Sequence, residues 1–153
     1  MYEGSEGCHN SPLFSRAYFI KARDFQSAGK ASIHIKGLLK ELGYAQSIVR
    51  KTAICAYEAE MNVVMYGSDG QLTLTIYPTF ICLKIKDHGP GIEDVELAMQ
   101  EGYSTAPPEY REMGFGAGMG LPNMKKNSDW MEIISGPDQG TLVHMDFFLD
   151  NIP

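Results

Sequence analysis

The sequence predicts an α+β fold: one mostly antiparallel sheet with helices on one face. Three observations predict it. Residues 71–77 and 80–87 alternate, with Leu72, Leu74 and Ile76 on one face of the first run and Ile81, Leu83 and Ile85 on one face of the second. A second strand pair, 130–135 and 141–149, flanks the turn Gly136-Pro-Asp-Gln-Gly140. Between and before these pairs the apolar period becomes helical. Paired strands mixed with helices, in the order βα, α, ββ, αα, ββ, argue α+β rather than a parallel sheet.

In chain order, residues 1–14 lack periodicity and read as a flexible tail, and 15–150 form one domain. Cys8-His9 in the tail has no second ligand pair beside it. Residues 16–22 read as a first strand centred on Tyr18, Phe19 and Ile20. Over 27–42, Ile35, Leu38, Leu39 and Leu42 follow i, i+3, i+4, i+7, and Gly43 stops the helix. A second helix spans 45–66, with Gly67 as its stop. Its later half is apolar nearly all round, which requires burial on most sides. Ile92, Val95 and Met99 mark a short third helix, 104–118 a loop rich in Gly and Pro, and 121–127 a fourth helix.

Composition narrows the function. At 153 residues, 44% hydrophobic and 21% charged, the chain suits a single globular domain. A net charge of −6 disfavours nucleic-acid or anionic-membrane surfaces, since phosphates are repelled. Cys55 and Cys82 sit in apolar stretches and no C-x-x-C occurs, which points to a reducing, cytoplasmic compartment. No targeting segment and no run long enough to span a bilayer is visible.

Three motifs carry the chemistry. Glu58 and Asn62 share a helix face, one turn apart. A carboxylate on an apolar helix needs a partner, a rim position or a cavity. In a cavity, Asn62 offers its side-chain oxygen to Mg2+, and Glu58 accepts a proton from an attacking hydroxyl. Glu60, on roughly the opposite face, reads as a solvated or salt-bridged residue. Asp87 continues the inward row of its strand just before Gly89 and Gly91. It is either a turn or cap residue or an acceptor for a buried amine such as adenine N6. Gly114, Gly116, Gly118 and Gly120 alternate before the fourth helix. They form either an irregular loop or a flap whose N–H groups, with those of the helix start, wrap phosphates. Lys125 and Lys126 are placed to add positive charge, and Thr141 follows the row of Val143 and Met145. Neither a Rossmann fingerprint nor a P-loop is present.

These residues resemble the GHKL ATPase superfamily. Glu58-x-x-x-Asn62 looks like its N-box, Asp87-x-Gly-x-Gly91 like its first glycine box and Gly116-x-Gly-x-Gly120 like its second. Asp87-His-Gly-Pro-Gly-Ile-Glu-Asp, Glu101-Gly-Tyr-Ser-Thr105 and Gly118-Met-Gly-Leu-Pro-Asn-Met-Lys125 are similar to the anti-sigma-factor serine/threonine kinases, closest to the switch kinases of stress modules. The resemblance covers about residues 15–149. It implies a two-layer Bergerat-type sandwich, with a mixed, mostly antiparallel sheet and a glycine-rich lid over ATP and Mg2+. Glu58 is then the base, Asn62 the metal ligand and Asp87 the adenine reader. Gly89, Gly91, Ile92, Gly114, Gly116, Gly118, Met119, Gly120, Leu121, Lys125 and Thr141 lie around the nucleotide. The implied substrate is a serine or threonine on a small STAS-like regulatory protein. A sigma factor, a phosphatase and a second copy of the chain remain open as further partners. The anti-sigma kinases often carry a basic residue before the last glycines of the second box; this chain has Ala117, so a phosphate-binding cation must come from Lys125, Lys126 or Arg111. An ATP-binding switch module with little chemistry is the alternative.

Overall fold

The computed structural model describes residues 11–66, 68–106, 108–109 and 118–150. Most of the expected tail, Cys8-His9, Gly67, Arg111, Gly114, Gly116 and Ala117 lie outside the described residues. The elements follow the expected order: β1 (Phe14–Ile20), α1 (Lys30–Glu41), α2 (Gln46–Tyr66), β2 (Gly70–Ile76), β3 (Phe80–Asp87), α3 (Val95–Ala98), α4 (Gly120–Asn127), β4 (Trp130–Ser135) and β5 (Thr141–Phe148). The strands form one sheet in the order β1-β2-β3-β5-β4, antiparallel at every pairing. None of the described helices is long and apolar enough to cross a membrane.

The alternation in β2 and β3 does what period 2 requires. Leu72, Leu74 and Ile76 face the same side as Ile81, Leu83 and Ile85, and Val143, Met145 and Phe147 extend that row on β5. All nine are buried in a single core against Ile35 and Leu39 of α1 and Val49, Cys55, Ala56, Ala59 and Val63 of α2. Helices on one face of a sheet make the two layers.

Helix α1 starts at Lys30, later than the apolar period suggests. A turn intervenes, in which the Ser27 N–H donates to Asp24 Oδ1 at 3.2 Å. The far end matches the expectation for Gly43. The Tyr44 N–H reaches the Leu39 carbonyl at 3.2 Å and the Gly43 N–H that of Lys40 at 3.0 Å, the paired bonds of a Schellman ending. Leu42, expected on the apolar face, lies past the last turn and is exposed. Helix α3 is a single turn capped by Asp94, whose Oδ1 accepts from the Leu97 N–H at 3.1 Å.

The reading of Glu60 as a solvated or salt-bridged residue is corrected. Glu60 is 2% exposed. Its Oε2 accepts from the backbone N–H groups of Gly29 at 3.0 Å and Ala31 at 3.3 Å, and its Oε1 from that of Ser32 at 3.1 Å. A helix start leaves its first N–H groups without intrahelical partners and carries partial positive charge. Glu60, reaching across from α2, satisfies both needs and fixes α1 to α2.

Candidate functional site

A cavity of about 1040 Å³ opens between the second half of α2, the ends of β3 and β5, the segment 90–105 and the start of α4. Glu58, Asn62, Asp87, Gly91, Ile92, Gly118, Met119, Gly120, Leu121 and Thr141 all line it. The volume is at the upper end of the usual range for small-molecule and cofactor pockets.

The elements explain the convergence. Glu58 and Asn62 are half-buried one turn apart on α2, on the side where α4 packs. Gly120 permits that packing. A Cβ there would stand 3.2 Å from Asn62 Oδ1 and 3.3 Å from Glu58 Oε2, so the N-terminal turn of α4 lies directly against both side chains. Asn123, one turn along α4, donates from Nδ2 to Glu58 Oε1 at 3.3 Å. Among the described residues the Glu58 carboxylate is thereby oriented by a neutral group, and no Lys or Arg pairs with it. Beneath it, the Cys55 thiol donates to the Met124 carbonyl at 3.5 Å. Burial first, then the Glu58 charge, push that thiol up to about 12.

Asp87 ends β3 directly beside Thr141, its register partner on β5. Its Oδ1 accepts from the Gly89 N–H at 2.9 Å. Among the described residues no other group donates to this carboxylate, so Oδ2 keeps its acceptor capacity. The turn reading of Asp87 accounts for one oxygen, and the other faces the cavity side without a donor among the described residues. Gly91 has φ +82°, and a methyl group there would run into the Gly136 carbonyl. That close approach locks the 88–92 loop onto the β4–β5 turn. The Asp138 N–H bonds the Pro90 carbonyl at 2.7 Å in the same place.

Ser135 and Asn123 were not singled out from the sequence. Ser135 Oγ accepts from the Ile92 N–H at 2.7 Å, donates to the Gly140 carbonyl at 3.0 Å and contacts Thr141 Oγ1 at 2.8 Å. With its own proton directed to Gly140, Ser135 takes the Thr141 hydrogen as well. One hydroxyl thus ties the 88–92 loop, β4, the turn and β5 together. The bonds that bring them to the site, Ser135 to Ile92 and Asn123 to Glu58, span 43 and 65 residues, so no local signal marks either.

Two expected residues stand elsewhere. Lys125 is exposed in the last turn of α4 and does not line the cavity. Gly89 contributes its N–H to Asp87 without lining the cavity itself. Gly114 and Gly116 lie outside the described residues.

Comparison with known proteins agrees with the arrangement. Residues 48–151 match the family described as histidine kinase-, DNA gyrase B-, and HSP90-like ATPase. An anti-sigma F factor of Thermoanaerobacter sp. strain X514 is 36% identical over 100 residues, 62% of this chain and 65% of that protein. The chain thus spans somewhat less than two thirds of that relative's length. An anti-sigma F factor of Pasteuria penetrans is 39% identical over 95 residues, 58% of this chain and 60% of that protein. Another, of Bacillus cereus, is 26% identical over 132 residues, 82% of this chain and 87% of that protein. The match takes in all but the first two residues of α2, the sheet strands β2 to β5 and every described residue lining the cavity, and on it the chain belongs to the histidine kinase-, DNA gyrase B- and HSP90-like ATPase family.

Proposed function

We propose that this protein is an ATP-dependent serine/threonine kinase of a bacterial partner-switching system, acting in the cytoplasm on a small STAS-like antagonist protein. The observation that carries the reading is the meeting of Glu58, Asn62, Asp87 and Thr141 in one cavity, closed on one side by the start of α4. The similarity to anti-sigma F factors supports the choice of system.

In this reading Asp87 Oδ2 accepts from the adenine amine, beside the Thr141 hydroxyl. The first N–H groups of α4, at Gly120 and Leu121, face the phosphate end, where a helix start favours anions. The donors near that end, Asn62 Oδ1 and the Glu58 carboxylate, are oxygens, which suits Mg2+. Asn62 would hold the ion, and the ion would neutralise phosphate charge. Glu58 accepts the proton of the attacking serine or threonine hydroxyl as its oxygen bonds to the terminal phosphorus and ADP leaves. Phosphoryl transfer asks mainly for such positioning and charge stabilisation.

The test is transfer of labelled phosphate from ATP to a small STAS-like protein from the same organism. Glu58→Gln should lower the transfer rate about 10²- to 10⁴-fold, the usual contribution of a general base, with ATP affinity little changed. Equal transfer by the variant removes Glu58 from the chemistry. A second reading, an ATP-binding switch with weak or no transfer, is favoured by the cation supply. Ala117 stands where anti-sigma kinases often carry a basic residue, and Lys125 and Lys126 stand outside the cavity lining, which leaves Arg111 as the remaining candidate cation. ATP-dependent capture of a sigma factor or antagonist without phosphate transfer would select it.

A further inference from the structure

On the sheet face opposite the helices, β3 and β5 place three unlike donors together. His144 and Asp146 are two apart on β5 and so share a face, and Cys82 is the register partner of Asp146 on β3. One donor atom from each, Cys82 Sγ, a His144 ring nitrogen and an Asp146 oxygen, all lie within 4.8 Å of one another. His144 Nε2 stands 2.9 Å from Asp146 Oδ1, with side-chain exposures of 9% and 0%. None of the three lines the nucleotide cavity.

We infer that Cys82, His144 and Asp146 form a binding site for one divalent transition-metal ion of the Zn2+ class. The donor set is one sulfur, one imidazole nitrogen and one carboxylate oxygen, each an established zinc ligand. The charges favour the match. A thiolate and a carboxylate balance a dication, so the occupied site is neutral, as a buried site should be. A hard ion such as Mg2+ is disfavoured by the sulfur.

The spacing asks for little movement. Bond lengths of about 2.3 Å to sulfur and about 2.0 Å to nitrogen and oxygen put tetrahedral ligands roughly 3.3–3.6 Å apart. The His144–Asp146 pair widens slightly, and the widest pair contracts by about 1 Å. On binding, the His144–Asp146 hydrogen bond is exchanged for two metal bonds, and the Cys82 proton leaves to solvent as sulfur becomes the third ligand. A water would complete a four-coordinate set, His144 being the more exposed side chain of the pair at 9%. Trp130 meets the His144 ring edge-on at 4.8 Å between centroids and holds the imidazole in place. The ion would tie β3 to β5, the two strands whose other ends carry Asp87 and Thr141.

The test uses the full chain freed of metal with EDTA, saturated with Mg-ATP and titrated with Co2+. A thiolate-to-cobalt charge-transfer band in the near ultraviolet, saturating at one equivalent, is expected in the wild type and in Cys8→Ser, and its loss in Cys82→Ser. Zn2+ at about a hundred times its Kd should raise Tm by roughly 5–10 °C. His144→Gln and Asp146→Asn should each weaken binding at least about tenfold, the typical effect on a site that loses ligand support. X-ray absorption of the zinc-loaded wild type should show one sulfur at about 2.3 Å with imidazole scattering, which decides the matter even where a variant fails to fold. Absence of the band, its survival in Cys82→Ser, or an oxygen and nitrogen shell without sulfur would overturn the site.

Discussion

At the scale of the residue, Glu60 shows how a buried charge is accommodated without a counter-ion. Its carboxylate accepts three backbone N–H groups from the start of α1, and the described residues include no salt bridge to it. Glu60→Gln keeps the volume but replaces one acceptor oxygen with an NH2 group that faces a backbone donor. Leaving such a donor unpaired costs about 2–3 kcal/mol. A urea titration should register that loss. ATP affinity should stay close to wild type, because Glu60 does not line the cavity. A stability change below a few tenths of a kcal/mol would mean that water replaces the carboxylate. The partners of Glu60 lie 28 to 31 residues upstream, so its role could not be read locally. Glu58, two positions away, was legible for the opposite reason. Its companion Asn62 is on the same helix at a spacing that brings the two together.

At the scale of the element, two glycines predict opposite outcomes for one chemical change. Gly37 is exposed in the middle of α1, and an added Cβ would meet nothing within 4 Å. Gly37→Ala should stabilise the protein by about 0.5–1 kcal/mol, through helix propensity and a less free unfolded chain. Gly91 holds φ +82° against the Gly136 carbonyl. Gly91→Ala should cost about 1–3 kcal/mol and displace the 88–92 loop from the turn that braces it. Because Asp87 and Ile92 flank that loop, ATP affinity should fall with it. Paired denaturation and calorimetric titration would show the contrast. A Gly91→Ala variant with wild-type affinity would show that the loop is not what positions the base. The resemblance placed Gly91 beside a nucleotide, and its contact with the sheet was not legible. The neighbour that demands glycine is the β4–β5 turn, a contact made only once the sheet is assembled.

At the scale of the whole molecule, the order of elements and the helix-facing rows were legible because periods of 2 and 3.6 are local properties. The burial of the far face of β5 was not. His144 and Asp146 are polar and alternate with Val143, Met145 and Phe147, a pattern that ordinarily marks a solvated face. Two layers meeting through this core also bury Cys55 between α2 and α4, and that burial sets a pH limit on the fold. The Cys55 thiol is pushed from 9.0 to about 12 by desolvation and by the Glu58 carboxylate. The folded state therefore prefers the protonated thiol more strongly than the unfolded chain does. The resulting stability is fully present below the unfolded pKa and is lost as pH rises through the window from about 9 to about 12. Within that window Cys55 should contribute a decline of roughly 1.4 kcal/mol per pH unit. Tyr18 and Tyr44, also raised mainly by burial, steepen the decline in wild type and variant alike. Comparing Cys55→Ala with wild type removes their share. Under reducing conditions the variant should start less stable at neutral pH, because a packed side chain is trimmed, and lose stability more slowly above pH 9. Parallel pH profiles for the two proteins would mean that the interface between α2 and α4 opens to water before the thiol ionises, and that the cavity wall formed by α4 is the weakest joint of the domain.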